Sequence, residues 1–238
     1  MSNLRADERC FIERDPTLSL ARRAAAEGLG TLLLVLAAAG GAELSSGLAA
    51  AAAVSGALMG LILALGAVSG GHFNPTISGL QWLAGERSGR CAAAYICAQT
   101  VGGVLGALAA AILYGGAPQA SLVLPTPNLA WSELLATLGL MVVVLGCSRS
   151  GLAQTGPFAV GAWLTAAILV TPSGSYANPA VTVAALVARG PLALPLSTAT
   201  TYVSAQIAGG LLALLAIAFL FPRQPAPGSP TSDKDTAP

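Results

Sequence analysis

The sequence predicts an all-α membrane protein with six transmembrane helices and two re-entrant half-helices, arranged as an inverted 3+3 repeat. Three observations predict this fold class. Of the 238 residues, 55% are hydrophobic and only 9% are charged, whereas a soluble domain carries about 25% charged residues. The mean hydropathy is +0.74. The chain also repeats itself, and each half has an Asn-Pro pair within an apolar stretch.

Each predicted span rests on an apolar stretch close to the roughly 20 residues that a helix needs to cross a bilayer. Several stretches are short or rich in Gly, so their boundaries are approximate. The six stretches are residues 24–42, 47–68, 91–113, 131–147, 156–170 and 195–221. A soluble protein with an Ala-rich core would need a long amphipathic helix to cover that core, and none is visible. We therefore expect an integral membrane protein in the lipid bilayer.

Basic residues are concentrated before the first span and in every second loop, whereas the loops on the opposite side carry only Arg189. The positive-inside rule therefore places both termini in the cytoplasm. We expect three regions: a cytoplasmic N-terminal arm at 1–23, a membrane domain at 24–222, and a cytoplasmic tail at 223–238. The tail is rich in Pro, Ser and Thr, which is typical of a disordered segment.

The polar residues exclude several classes of function. The net charge of +1 gives no indication of a nucleic-acid partner. The four cysteines have no metal-ligand spacing, and no nucleophile lies near a candidate base. We therefore expect no metal, no cofactor and no enzyme activity.

The internal repeat divides the membrane domain into two halves, at about 24–114 and about 130–222. Residues 95–113 align without gaps on residues 202–220, with ten identities in nineteen positions. Upstream of this segment, Glu27 aligns with Glu133 and Asn74 with Asn178. Because three spans are an odd number, the second half is inverted relative to the first. Inverted repeats are typical of channels and transporters whose site lies at the bilayer midplane.

Each half contains one Asn-Pro box, within SGGHFNPT at 69–76 and within GSYANPAV at 174–181. Each box begins an apolar segment too short to span a bilayer, at 74–83 and 178–187. Proline is favoured at the first helical position and Asn at the N-cap, so both segments are predicted half-helices. The box residues are Asn74, Pro75, Thr76, Asn178, Pro179 and Ala180.

The inverted arrangement brings the two half-helix starts together near the midplane. Both positive dipole ends then face one point, and both Asn carboxamides can donate hydrogen bonds there. Irregular backbone at this depth survives only where it is buried in protein or lines a wet cavity. We therefore expect the two boxes to line a cavity.

These motifs resemble the aquaporin and glycerol-facilitator family, also called the major intrinsic proteins, from about residue 24 to residue 221. The resemblance is carried by AEGLGTLLLV, SGGHFNP, YICAQTVGG, SELLATLGL, NPAV and AQIAGG. It implies one pore in each subunit and a homotetramer.

Two positions depart from the family pattern. Thr76 stands where the first box of the family has Ala, which we interpret as a tolerated change. Val181 stands where water channels of the family typically have Arg. The resemblance implies, by spacing from the boxes, that Val54, Ala166 and Ser175 complete this selectivity filter. With Val at this position, the chain resembles a bacterial subgroup of the family that is associated with arsenic resistance. This resemblance implies that the protein lies in a bacterial inner membrane.

The filter implied by the resemblance is small and mostly apolar, and it has no fixed charge to compensate an ion for its lost water. We therefore expect a passive channel for small neutral solutes. Glycerol-like polyols and undissociated metalloid hydroxides such as arsenous acid fit this description, and water is a further candidate. A water-selective aquaporin is the first alternative.

Glu27 and Glu133 lie near the starts of the first and fourth spans, and intramembrane carboxylates are functional by default. Their symmetry predicts that each accepts backbone N–H groups from a half-helix loop. A second alternative is a proton-coupled secondary transporter that uses both carboxylates. His72, two residues before Asn74, is expected to be a structural hydrogen-bonding residue rather than a gate.

Overall fold

The computed structural model describes residues 17–115 and 124–221. These residues form eight α-helices and one 3-10 turn, at Gly190–Leu192, and no strand. Residues 1–16 of the predicted arm and the whole predicted tail lie outside the described residues. The helices are α1 (Leu20–Ala42), α2 (Gly47–Ser69), α3 (Pro75–Leu83), α4 (Gly89–Tyr114), α5 (Pro127–Arg149), α6 (Gly156–Val170), α7 (Pro179–Ala185) and α8 (Leu196–Leu220).

The predicted all-helical membrane fold is confirmed. In the described residues, five helices are long and apolar enough to cross a membrane, namely α1, α2, α4, α5 and α8, with 23 to 26 residues each. Helix α6 has 15 residues, which is about 22 Å at 1.5 Å per residue. It is therefore shorter than the roughly 30 Å hydrocarbon core of a bilayer.

The two halves pack in the same way. Helix α1 packs along α4 in the first half, and α5 packs along α8 in the second half. The half-helices cross between the halves, because α7 contacts α4 and α3 contacts α8. Contacts between α2 of the first half and α6 of the second half also join the two halves. Each half-helix is therefore supported by a long helix of the other half.

A pair of glycines on α4 and another pair on α8 permit this packing. A Cβ atom on Gly102 would lie 2.0 Å from the carbonyl oxygen of Gly28 on α1. The equivalent atom on Gly209 would lie 2.3 Å from the carbonyl oxygen of Leu134 on α5. Both distances are far below contact, so the backbones of these helices approach more closely than any side chain allows.

The second glycine of each pair faces the half-helix of the other half. A Cβ atom on Gly103 would lie 3.0 Å from the carbonyl oxygen of Ala180 on α7. On Gly210 it would lie 2.6 Å from the Cγ2 methyl group of Thr76 on α3. Each glycine pair thus lets its helix pack closely against a long helix of its own half and against the half-helix of the other half.

Candidate functional site

The two short helices begin at the Asn-Pro boxes. Asn74 is the N-cap of α3, and its Oδ1 atom accepts a hydrogen bond from the backbone N–H of Thr76 at 2.9 Å. Asn178 is the N-cap of α7, and its Oδ1 atom accepts from the N–H of Ala180 at 2.9 Å. Side-chain capping by Asn, with Pro at the first helical position, starts each helix at its box.

The same two Asn side chains join the halves to each other. The Nδ2 group of Asn74 donates to the carbonyl oxygen of Ala177 at 2.8 Å. The Nδ2 group of Asn178 donates to the carbonyl oxygen of Phe73, also at 2.8 Å. The two half-helix starts therefore meet. Each carboxamide has a second N–H, and both Asn residues line a central cavity.

The residue before each Asn has an unusual backbone conformation. Phe73 has a φ angle of 47° and Ala177 has a φ angle of 44°. Non-glycine residues in this left-handed region cost on the order of 1 kcal/mol or more, and they persist only where the surroundings hold them. This conformation accompanies the presentation of each carbonyl group to the Asn of the other half.

Glu27 holds the segment that leads into α3. Its Oε1 atom accepts the backbone N–H of His72 at 3.0 Å, and its Oε2 atom accepts that of Phe73 at 2.6 Å. The hydroxyl of Ser69 donates to Oε1 at 2.6 Å, and Nε2 of Gln99 donates to Oε2 at 2.7 Å. The carboxylate is fully buried, and its four donors account for both oxygens.

Glu133 holds the segment that leads into α7 in the same manner. Its Oε1 atom accepts the backbone N–H of Tyr176 at 2.9 Å, and its Oε2 atom accepts that of Ala177 at 2.8 Å. Nε2 of Gln206 donates to Oε2 at 2.7 Å. Glu133 is also fully buried. Each glutamate thus accepts two backbone N–H groups from the segment before one half-helix.

His72 and Tyr176 are equivalent residues, each two positions before the Asn of its box. The His72 ring meets the Tyr95 ring edge-on at 5.3 Å between centroids, and its Nδ1 atom lies 2.9 Å from Oγ of Ser78. The Tyr176 ring meets the Tyr202 ring edge-on at 5.4 Å. Both His72 and Tyr176 line the cavity. Tyr176 was not among the residues predicted for the site, although aligning the two boxes pairs it with His72.

The central cavity has a volume of about 280 Å³ and passes both Asn residues. Its walls come from α1, α2, α5 and α6, from the two half-helices and the segments before them, and from the 3-10 turn. On α2 the lining residues recur every four positions, which is the spacing of one helix face. Aliphatic side chains dominate the walls, for example Leu34, Leu58, Ile62, Leu140, Val144 and Val160.

Three of the four expected filter residues line this cavity, namely Val54, Ser175 and Val181. Ala166 does not, because it lies on the exposed face of α6. Leu164 and Ile168 of the same helix do line the cavity. A helix turns about 100° per residue, so Ala166, two positions from each, points to the opposite side. The position inferred for this helix by spacing is therefore corrected.

Two hydroxyl groups at the site are buried without a hydrogen bond to any described residue, those of Thr76 and Ser175. Ser175 lines the cavity and is 5% exposed. Thr76 is not among the lining residues, and its methyl group lies against Gly210. The extra hydroxyl of the first box is therefore directed into the helix packing.

Charged side chains stay out of the cavity wall. Across residues 17–115 and 124–221, no Lys, Arg, Asp or Glu lines it. The same residues contain no group of three His, Cys, Asp or Glu side chains that could hold a metal ion. The cavity can thus offer a passing molecule aliphatic surface, two carboxamides and a few other polar groups.

This fold and cavity define a class of protein, a multi-pass membrane channel with two inverted halves. The family follows from the sequence, which matches the family described as Major intrinsic protein over residues 16–172 and 151–236. The chain belongs to this family, which confirms the resemblance. Members of the family are channels, so the chain is not an enzyme.

Comparisons with individual proteins agree. The chain is similar to the aquaglyceroporin AqpS of Rhizobium meliloti (strain 1021), with 36% identity over 176 residues, 69% of this chain and 75% of that protein. It is 28% identical over 206 residues to the probable aquaporin AqpM of Archaeoglobus fulgidus, with 70% and 82% of the two chains covered. The X-ray structure of the aquaglyceroporin from Plasmodium falciparum has the same fold, with a TM-score of 0.70 at 16% identity, covering 84% and 96% of the two chains.

Proposed function

We propose that this channel passes small neutral solutes without energy coupling. The solutes are glycerol-like polyols and undissociated metalloid hydroxides such as arsenous acid, and water is a further permeant. The observation that carries the proposal is the cavity wall, in which Val181 stands in place of a charged residue. The name of the aquaglyceroporin AqpS agrees with a polyol, and the metalloid is the finer part of the proposal.

The wall favours neutral over charged solutes for a physical reason. An ion that enters the cavity loses hydration, and burial of an uncompensated charge is expensive. No described lining residue carries a formal opposite charge to compensate it. A neutral hydroxyl compound loses less hydration free energy on entering the cavity. Asn74 and Asn178 can donate hydrogen bonds to its oxygens, while its carbon atoms contact aliphatic side chains.

A water-selective pore is the first alternative, and the filter residues argue against it. Val54, Ser175 and Val181 are small, so the wall has no bulky side chain at these positions to exclude solutes larger than water. The contribution of α6 comes from Leu164 or Ile168, which are larger than the Ala166 expected from the sequence. The shape of the cavity therefore depends on α6 as well as on the boxes.

A proton-coupled transporter is the second alternative, and the contacts of Glu27 and Glu133 argue against it. Both carboxylates are fully buried, lie outside the cavity wall, and use their oxygens to hold backbone N–H groups. A carboxyl group that binds and releases coupling protons would have to exchange these hydrogen bonds in every cycle. The geometry favours a fixed role in holding the pore.

We extend the proposal to the assembly and its setting. The subunits form a homotetramer in a bacterial inner membrane, with both termini in the cytoplasm. The concentration of arginines in alternate loops supports this orientation. Arg87 lies in the connection between α3 and α4, and Arg149 is the last residue of α5; both connections are on the proposed cytoplasmic side. The end of the cavity near the 3-10 turn then faces the periplasm.

The test is stopped-flow light scattering on proteoliposomes that contain the wild type, Val181→Arg or Val181→Met. Glycerol, arsenous acid and water are compared. The wild type is expected to pass both solutes, and Val181→Arg is expected to abolish their flux. Val181→Met adds length without charge and serves as the matched control, with a smaller loss. Fast water flux with negligible solute flux in the wild type would contradict the proposal.

A further inference from the structure

Tyr176 is fixed at both its backbone and its side chain. Its N–H donates to Oε1 of Glu133 at 2.9 Å, and its hydroxyl donates to the carbonyl oxygen of Leu192 at 2.9 Å. Between these two contacts, the residue lines the cavity. It therefore connects the segment before α7 directly to the 3-10 turn at Gly190–Leu192.

This turn forms part of the cavity wall. Pro191 and Leu192 both line the cavity, and the turn also contacts α1. Gly190 of the turn lies against Glu43, the C-cap of α1, and Gly41 near the same end of α1 lies against Val54 of α2. The turn therefore closes the same end of the cavity as the expected filter residue Val54. We refer to this region, bounded by Val54, Ser175 and Leu192, as the α7 end of the cavity.

The Tyr176 ring is held in place by the Tyr202 ring. The two rings meet edge-on, with 5.4 Å between centroids and 64° between planes. Tyr202 is 2% exposed and packs in a cluster with Ala185, Leu194 and Ala199. Tyr202 does not line the cavity. The Tyr176 ring, whose hydroxyl points to Leu192, is therefore packed against a buried neighbour.

The first half has a partly matching arrangement around the equivalent residue, His72. There, His72 has the same backbone contact with a glutamate and the same edge-on contact with a tyrosine. Its ring, however, approaches Ser78 of its own half-helix. The repeat thus relates the positions of His72 and Tyr176, and the Tyr176 hydroxyl donates a hydrogen bond to the carbonyl oxygen of Leu192.

We propose that Tyr176 is a positioning residue that sets the width of the α7 end of the cavity, and with it the largest solute that passes. The inference rests on the proposed function. Val54, Ser175 and Val181 are small and leave this end wide, so the wall formed by Pro191 and Leu192 becomes limiting. Its position depends on the hydrogen bond from the Tyr176 hydroxyl.

The test compares Tyr176→Phe with the matched control Tyr202→Phe. Both variants lose one hydroxyl from the same ring pair, but only the first loses the bond to Leu192. Proteoliposome fluxes of glycerol, erythritol and xylitol are measured, and each larger polyol is expressed relative to glycerol. In Tyr176→Phe this ratio is expected to rise roughly threefold or more, the scale of a lost neutral hydrogen bond. An equal ratio in the two variants would overturn the proposal.

A second variant tests the wall without touching the tyrosine. Leu192→Ala shortens the side chain that Tyr176 positions, so it is expected to raise the same ratio. An unchanged ratio in a folded Leu192→Ala protein would show that the turn does not limit solute size, and the proposal would fail. Folding is checked by size-exclusion chromatography and by the glycerol flux itself.

Amide hydrogen exchange separates this inference from the proposed function. Exchange at residues 190–194 is expected to be about threefold to tenfold faster in Tyr176→Phe than in Tyr202→Phe. If the wild type passes none of the polyols, the proposed function fails. Amide hydrogen exchange still tests whether the Tyr176 hydroxyl holds the turn at Leu192. Equal exchange in the two variants overturns the positioning role, and faster exchange in Tyr176→Phe supports it.

Discussion

Replacing Glu133 with Gln is expected to destabilise the protein by about 3–5 kcal/mol. The carboxylate accepts hydrogen bonds from the backbone of Tyr176 and Ala177 and from Gln206. An amide has one acceptor oxygen, so at least one backbone N–H would face an NH₂ group, at a cost of about 1–3 kcal/mol. The remaining bonds lose their charge assistance, which costs about 1 kcal/mol each.

The assay is thermal unfolding of the purified protein in detergent, with Glu86→Gln as the matched control. Glu86 pairs with Arg149 at 2.5 Å on a partly exposed surface, and such pairs contribute about 0–1 kcal/mol. The expected loss for Glu133→Gln corresponds to a decrease of roughly 6–20 °C in the melting temperature. A difference below about 1 kcal/mol between the two variants would refute the reasoning that Glu133 holds the approach to α7.

Two further predictions concern the cavity wall and the helix packing. Ile168→Trp is expected to block glycerol flux in proteoliposomes, because Ile168 lines the cavity. Ala166→Trp is expected to leave the glycerol flux within about twofold of the wild type, since Ala166 is exposed. The reverse result would restore Ala166 as the filter position. Gly102→Ala is expected to lower the free energy of unfolding by about 3 kcal/mol or more, because its methyl group would lie 2.0 Å from the carbonyl oxygen of Gly28. Thermal unfolding measures this loss. Gly79→Ala, which meets nothing within 4 Å, is the control, and equal stability of the two would contradict the close packing of α1 and α4.

The fold could be predicted because each long helix leaves a local signal in the sequence. The apolar stretches predicted helix ends within four residues of those observed. The largest differences arise where a polar first turn precedes the apolar stretch. Helix α5 begins at Pro127, capped by Thr126, whereas its apolar stretch begins at Trp131. Capping geometry, rather than hydropathy, sets such a boundary.

The half-helix starts were also accessible from the sequence, because the capping of α3 and α7 by Asn is a local interaction. The bonds of Asn74 and Asn178 across the molecule were less accessible. They accompany a left-handed backbone at Phe73 and Ala177, and neither residue type signals that conformation. Only the contacts of the buried glutamates, seen in three dimensions, account for it.

The filter shows where inference from spacing fails. Val54 reaches the cavity, and Ser175 and Val181, which adjoin a box, do so as well. Ala166 is separated from its box by the end of α6 and an irregular segment, so its angular position depends on where that helix stops. Tyr176 was missed for another reason, since its bond to Leu192 joins two loops that no periodic pattern connects.

The reciprocal bonds between the halves also affect the order in which the protein matures during synthesis. The carbonyl group that Asn74 needs belongs to Ala177, 103 residues later in the chain, and Thr76 packs against Gly210 of α8. A ribosome releases the first half long before either partner exists. The centre of the pore is thus completed only after α8 has been inserted. Until then, the first Asn-Pro box lacks its contacts with Ala177 and Gly210.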